Sequence, residues 1–177
     1  MTAFKLEAGS KFPDITVPRF GGGNVTLGKP SAPFDWKMVV VYRGKHCPMC
    51  TAHLKELNDN LQALNELGVD VVAVSGDPLE KVEIQMKDVS PKFTVGYDLS
   101  IADMKKLGLY ISDPRSPQET DQPFAEPGVF IINAEGNVQV LNISNAPFAR
   151  PSFQTLAGGI KFIRNPENNY PIRGTHK

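Results

Sequence analysis

The chain of 177 residues carries two cysteines, Cys47 and Cys50, in the run Gly44-Lys45-His46-Cys47-Pro48-Met49-Cys50. A structural disulfide framework spreads its cysteines to close long loops, whereas a bridge inside Cys-x-x-Cys closes almost none. The pair is therefore read as chemistry rather than as a staple. It falls between a β-branched apolar run and a leucine-spaced segment, which places Cys47 at the start of a helix. Unpaired N–H groups and the helix dipole favour a thiolate there. Pro48 suits the first helical turn, and Cys50 lies one turn further on, within bridging reach. Arg43, Lys45 and His46 add positive charge. The expected behaviour is a partly exposed Cys47 that ionises below the ordinary thiol value of about 8.5, and a more buried Cys50 that ionises later. Such a pair can cycle between dithiol and disulfide.

Three other motifs compete. A metal centre would need His46, Cys47, Cys50 and His53, all from eight residues at one corner, whereas structural zinc sites draw ligand pairs from two separated places. Gly23 to Lys29 matches most of a phosphate-binding loop, but Pro30 stands where the magnesium-binding hydroxyl belongs and no helix can start cleanly after it. Asn24-Val25-Thr26 and Asn142-Ile143-Ser144 fit the glycosylation triplet, which carries no weight without a secretory signal.

The elements that must hold the cysteines are legible from periodicity. Ile15–Val17 and Val25–Leu27 read as strands joined across Gly21-Gly22-Gly23-Asn24, a glycine-rich hairpin turn. Lys37 to Tyr42 is a near-continuous apolar run, as in a strand covered on both faces. Leu54, Leu57, Leu61, Leu64 and Leu67 repeat at three and four, one face of a helix that Gly68 ends. Val69–Ser75 predicts a second buried strand, Pro78–Asp88 a helix, Phe93–Tyr97 a short strand and Ile101–Leu107 a short helix. Residues 112–127, with four prolines among polar residues, read as a loop. Val129–Ile132 and Val138–Ile143 form a hairpin, and Pro151 opens a final helix with Phe153, Leu156, Ile160 and Ile163 on its apolar face. This order predicts an α/β protein with a mixed sheet and helices on both faces. Pro127, just before a buried strand, predicts a cis Glu126–Pro127 bond turned toward Cys47.

Composition bounds the function. Lys plus Arg and Asp plus Glu both count 19, so the net charge is zero. A nucleic-acid binder that works by counterion release carries a basic excess, so no nucleic-acid partner is expected. The longest apolar run is far too short to span a bilayer. The first residues lack the basic start and apolar block of a targeting peptide. The cytoplasm is the expected location, with no membrane partner, no metal and no cofactor.

Four segments resemble the AhpC/TSA peroxiredoxin-like branch of the thioredoxin-fold superfamily: Ala8–Asp14, Val41–Cys50, Val69–Asp77 and Glu126–Gly136, spread over most of residues 8–165. The resemblance implies a thioredoxin fold, with a central mixed β-sheet flanked by helices and an N-terminal β-hairpin extension. It implies a single domain over residues 1–177, with residues 165–177 as a polar tail. It also implies Cys47 as the attacking, peroxidatic-type cysteine and Cys50 as its resolving partner, with Arg43, Gly44, His46, Pro48, Glu126 and Pro127 lining the substrate site. Typical peroxiredoxins have proline seven positions and Thr or Ser three positions before the reactive cysteine; here these are Val40 and Gly44. Pro127 stands where those enzymes carry an arginine, leaving Arg43 as the cation that would substitute. Val41 replaces the buried acid of thioredoxins.

Three functions follow as expectations. The first is a thiol-dependent antioxidant enzyme that reduces hydroperoxides. The second is a thiol–disulfide oxidoreductase acting on protein disulfides. The third is a redox-sensing binding module without turnover. The first two call for a hydroperoxide or disulfide substrate and a cellular dithiol reductant of the thioredoxin or glutathione type; a homodimer is compatible with any of them.

Overall fold

The computed structural model describes residues 4–177. Strands β1 (Thr16–Pro18) and β2 (Asn24–Thr26) form the expected antiparallel hairpin. Its turn places Gly21, Gly22 and Gly23 at φ of +96°, +118° and +74°, a left-handed path that side chains with a Cβ resist. The main sheet is built from β3 (Trp36–Val41), β4 (Val69–Val74), β5 (Thr94–Gly96), β8 (Gly128–Ile132) and β9 (Val138–Ile143), in the order β5-β4-β3-β8-β9. Strands β3, β4 and β5 run parallel; β8 runs antiparallel to β3 and to β9. Helices α1 (Pro48–Glu66), α2 (Leu79–Val89), α3 (Ile101–Lys106) and α4 (Phe153–Arg164) complete the fold, and a short 3₁₀ turn, Pro166–Asn168, follows α4. This is the expected mixed, thioredoxin-type sheet.

Every residue of β3 is buried, because both faces of the strand are covered. Met38, Val40 and Tyr42 pack in a cluster with the leucines of α1 and with Phe153 and Ile160 of α4. Val39 and Val41 join the opposite cluster, with Ile15, Val17, Met104 and Phe130. The two-residue alternation of a strand thus divides one apolar run between two cores.

Two expectations fail. Residues 112–127 are not all loop: β6 (Ile111–Ser112) and β7 (Phe124–Ala125) pair antiparallel. A ladder of two residues per strand is too short to show any alternation. The Glu126–Pro127 bond is trans; the cis bond among the described residues is Ala32–Pro33. Pro127 instead continues into the extended strand β8, where its carbonyl accepts the Ser144 N–H at 3.0 Å. Smaller differences lie at element ends. Helix α4 starts at Phe153 rather than Pro151, because the Ser152 side chain accepts the Thr155 N–H and so forms the cap.

Candidate active site

Strand β3 ends at Val41, and after six intervening residues the chain enters α1. In that turn Gly44 has φ +137°, and a Cβ built on it would fall 2.6 Å from an oxygen of the Asp77 carboxylate. The space a side chain would need is therefore filled from β4's end of the sheet. This accounts for glycine where the resembling family has Thr or Ser. Asp77 is buried and takes the Lys45 N–H at 2.8 Å, while Gln85 donates to the Gly44 carbonyl at 3.2 Å. Burial is the main influence raising the Asp77 carboxyl above its ordinary range. The loop before Cys47 is thus pinned from α2 and from the residues after β4.

Cys47 is the N-cap of α1, with φ −112° and ψ 101°, and Pro48 holds the first helical position. Its Sγ accepts the Cys50 N–H at 3.2 Å. The sulfur therefore does the work that a Ser or Asp oxygen does at other helix starts, in the positive field of that terminus. The hydrogen bond from the Cys50 thiol, the same amide, and the Arg150 and Arg43 charges outweigh burial and hold the Cys47 thiol down at about 6. That thiol–thiolate hydrogen bond, with burial, pushes Cys50 far up. The expected order of ionisation is present, and Cys50 is the more buried. The expected partial exposure of Cys47 is not: it is 3 % exposed and Cys50 0 %, because both sit in the apolar cluster under α1. Pro48 and Met49 next to them are exposed, so the pair lies at the rim of that cluster.

Two cations reach the dithiol. Arg43 makes a bidentate pair with Glu126, Nε to Oε2 at 3.0 Å and Nη2 to Oε1 at 2.9 Å. Glu126 is 2 % exposed and also accepts the Ser112 hydroxyl at 2.8 Å. The unexpected β6–β7 ladder is what brings Ser112 and Glu126 together. The Arg43 guanidinium lies 4.7 Å over the Phe124 ring, and His46 packs on the same ring at 4.5 Å. Burial holds the His46 imidazole below its usual value, so it adds little charge. The second cation is Arg150, whose Nη1 lies 3.5 Å from Cys50 Sγ.

Arg43, Gly44, His46, Pro48, Cys47, Cys50 and Glu126 therefore share one corner of the sheet. Pro127 lies between Glu126 and the start of β8, and its carbonyl is taken up by the Ser144 N–H. The histidines of the metal alternative diverge. His46 faces Phe124, while His53 faces Pro151 and Phe153. Among the described residues no cluster of three or more His, Cys, Asp or Glu is arranged to hold a metal ion. Sequence reasoning did not find Arg150, Asp77, Ser112 or Gln85. Each acts across a turn or a gap of tens of residues, and none bears a local pattern.

The model of the AhpC/TSA family matches residues 8–141. Two Mycobacterium tuberculosis proteins described as candidate peroxiredoxins, from strains CDC 1551 and H37Rv, are each 34% identical over 80 residues, 44% of this chain and 48% of theirs. The chain spans about half the length of the curated relatives it matches. Among solved structures, a peroxiredoxin 6 variant from Arenicola marina superposes with a TM-score of 0.76 at 18% identity, over 92% of this chain and 75% of the other. A peroxiredoxin-like protein from Aquifex aeolicus gives 0.73 at 21%, over 89% and 87%. The reduced 2-Cys peroxiredoxin of Plasmodium vivax gives 0.73 at 19%, over 90% and 83%. At these identities the structural likeness speaks to the fold.

Proposed function

The chain belongs to the AhpC/TSA family, and from that premise we propose that it is a thiol-dependent peroxidase acting through Cys47 and Cys50. The observation that carries the reading is the Cys47 sulfur in the N-cap position, hydrogen-bonded to the Cys50 amide and held down at about 6. At neutral pH it is a thiolate, the nucleophilic form.

The thiolate attacks the outer oxygen of a hydroperoxide. The O–O bond breaks, sulfur gives up two electrons, and an alcohol or water leaves after taking a proton. Cys47 is then a sulfenic acid. The Cys50 thiol displaces its hydroxyl as water, forming the Cys47–Cys50 disulfide. A dithiol of the thioredoxin or glutathione type returns the bridge to two thiols and leaves as a disulfide. In this reading Arg43 and Arg150 stabilise the thiolate and the charge that develops on the leaving oxygen. Glu126 and Ser112 hold Arg43, and Gly44, His46, Pro48 and Pro127 shape the approach.

Among the described residues no helix is long and apolar enough to cross a membrane, and the zero net charge offers no general attraction to nucleic acid; a cytoplasmic location is part of the proposal. One continuous chain threads both apolar clusters, which supports a single domain over 1–177. A homodimer is compatible with β9 standing at one end of the sheet's strand order.

Protein disulfide exchange is the second reading. It is favoured by the exposed Pro48 and Met49 beside the buried sulfurs, a surface a peptide could rest on. Stopped-flow oxidation of the reduced protein by hydrogen peroxide, compared with a disulfide peptide, separates the two. The peroxidase reading expects faster loss of thiolate with peroxide. It also expects Cys50→Ser to stall as a Cys47 sulfenic acid trapped by dimedone. Faster reaction with the peptide, and a stalled mixed disulfide, would overturn it. A reversible disulfide with no turnover in either assay would leave only the sensor reading.

A further inference from the structure

Helix α1 presents Cys50, His53 and Glu56 at three-residue steps, which brings them to one side of the helix. Each holds one point of the segment that leads into α4. Arg150 Nη1 lies 3.5 Å from Cys50 Sγ. The Pro151 carbonyl lies 3.3 Å from His53 Nε2. The Phe153 N–H donates to Glu56 Oε1 at 3.1 Å. The His53 ring also stacks on Phe153, centroids 4.3 Å apart and planes 27° apart.

A carbonyl oxygen only accepts, so the Pro151 contact requires the proton on Nε2 and leaves Nδ1 as a lone pair. Burial, then the Arg150 charge, pull His53 down to about 4, so the neutral form with that single N–H is the one present near pH 7. Among the described residues Arg150 has no carboxylate within ion-pair distance. The loop just before it is open, with Phe148 73 % exposed. A long side chain on such a loop is held in one place only against its own entropy. What locates the guanidinium is the backbone tied down directly after it.

We propose that His53 is the positioning residue for Arg150, anchoring the Pro151 carbonyl so that the guanidinium stays on the dithiol. The inference names the support behind the proposed first step, and in that sense it rests on the peroxidase reading. Its test does not measure peroxide. The charged and titratable groups that bear on Cys47 are Cys50 on its own helix, Arg43 from the end of β3, and Arg150.

The test is the rate at which iodoacetamide alkylates Cys47 in the reduced full chain, followed by peptide mass mapping from pH 4 to pH 9. His53→Phe keeps a ring for the stack and removes the N–H. His53→Gln keeps a donor near the Nε2 position. Expected is a rise in the midpoint of about 0.5 pH unit for H53F, roughly a threefold loss of thiolate below the midpoint. H53Q should stay within about 0.2 unit of the parent. Arg150→Ala combined with H53F should rise no further than R150A alone, since both remove the same interaction. A parental midpoint for H53F, an equal rise for H53F and H53Q, or additive shifts in the double variant would overturn the proposal. If H53F does not fold, Glu56→Ala cuts the adjacent anchor. A smaller upward shift is then expected, and an unchanged midpoint overturns it. A protein that alkylates as expected yet does not consume peroxide breaks the peroxidase reading and leaves this assignment standing.

Discussion

Arg43 and Arg150 bring positive charge to the same two sulfurs from supports of opposite kind. Arg43 leaves the end of β3 and is gripped side-on by the buried Glu126, which Ser112 holds in turn. That support is stiff, but a carboxylate cancels much of the cation it fixes. Arg150 stands on an open loop and has no carboxylate partner among the described residues; its location is set by contacts to the backbone after it. That support is looser, and the charge it delivers is whole. Both cations lower Cys47. Pairing a charge makes it easy to place and weak in its field; leaving it unpaired does the reverse.

The comparison has a common target, and the largest effect comes from removing it. Cys47→Ser should abolish both peroxide consumption and disulfide exchange, measured by stopped flow; retained turnover would mean that neither arginine serves a Cys47 reaction. Next in size is the stiff support. Glu126→Ala leaves a part-buried guanidinium without its partner and Ser112 without its acceptor, and should cost about 3 kcal/mol in urea denaturation. Arg43→Ala in the same background should recover part of that loss, because the uncompensated charge goes with it.

Of the two cations, the one on the loose support is expected to weigh more on the acidity of Cys47, because no carboxylate offsets its charge. The rate of the first step should climb with pH through about 6, as Cys47 loses its proton, and level off above that. Arg150→Ala should move this midpoint up by about one unit, a tenfold loss of thiolate well below it. Arg43→Ala is the smallest expected effect, an upward shift of about 0.3 to 0.5 unit, since Glu126 already offsets the charge removed. If Arg43→Ala shifts the midpoint more than Arg150→Ala, the distinction between a cancelled and a whole charge fails.

What was legible in the sequence had short range. The strand–helix junction at Cys47 follows from an apolar β-branched run, a proline and a leucine repeat, all within about one helix length of each other. The burial of β3 on both faces follows from its near-continuous apolar run, broken only by Lys37, whose buried ammonium pairs with Asp70. The order of ionisation of the two cysteines follows from their positions at, and one turn into, a helix start. By contrast, the cis expectation at Pro127 rested on a lone proline just before a buried strand together with the resemblance, and the bond is trans on the path into β8. The β6–β7 ladder left no trace because its strands are two residues long.

The sequence by itself determined where the Cys47 sulfur sits, at a helix start, and that Cys50 lies one turn further in, because spacing along one helix sets both. Tertiary structure alone decided what surrounds that sulfur. Arg150 reaches Cys50 from 100 residues away, Glu126 reaches Arg43 from 83, and the Asp77 carboxylate fills the space above Gly44. None of these contacts has a periodicity, since a polar residue in a loop carries no mark of the partner it will meet. Such contacts exist only once the whole sheet has packed, because it is the summed burial of both apolar clusters that holds these loop and strand-end side chains against one another.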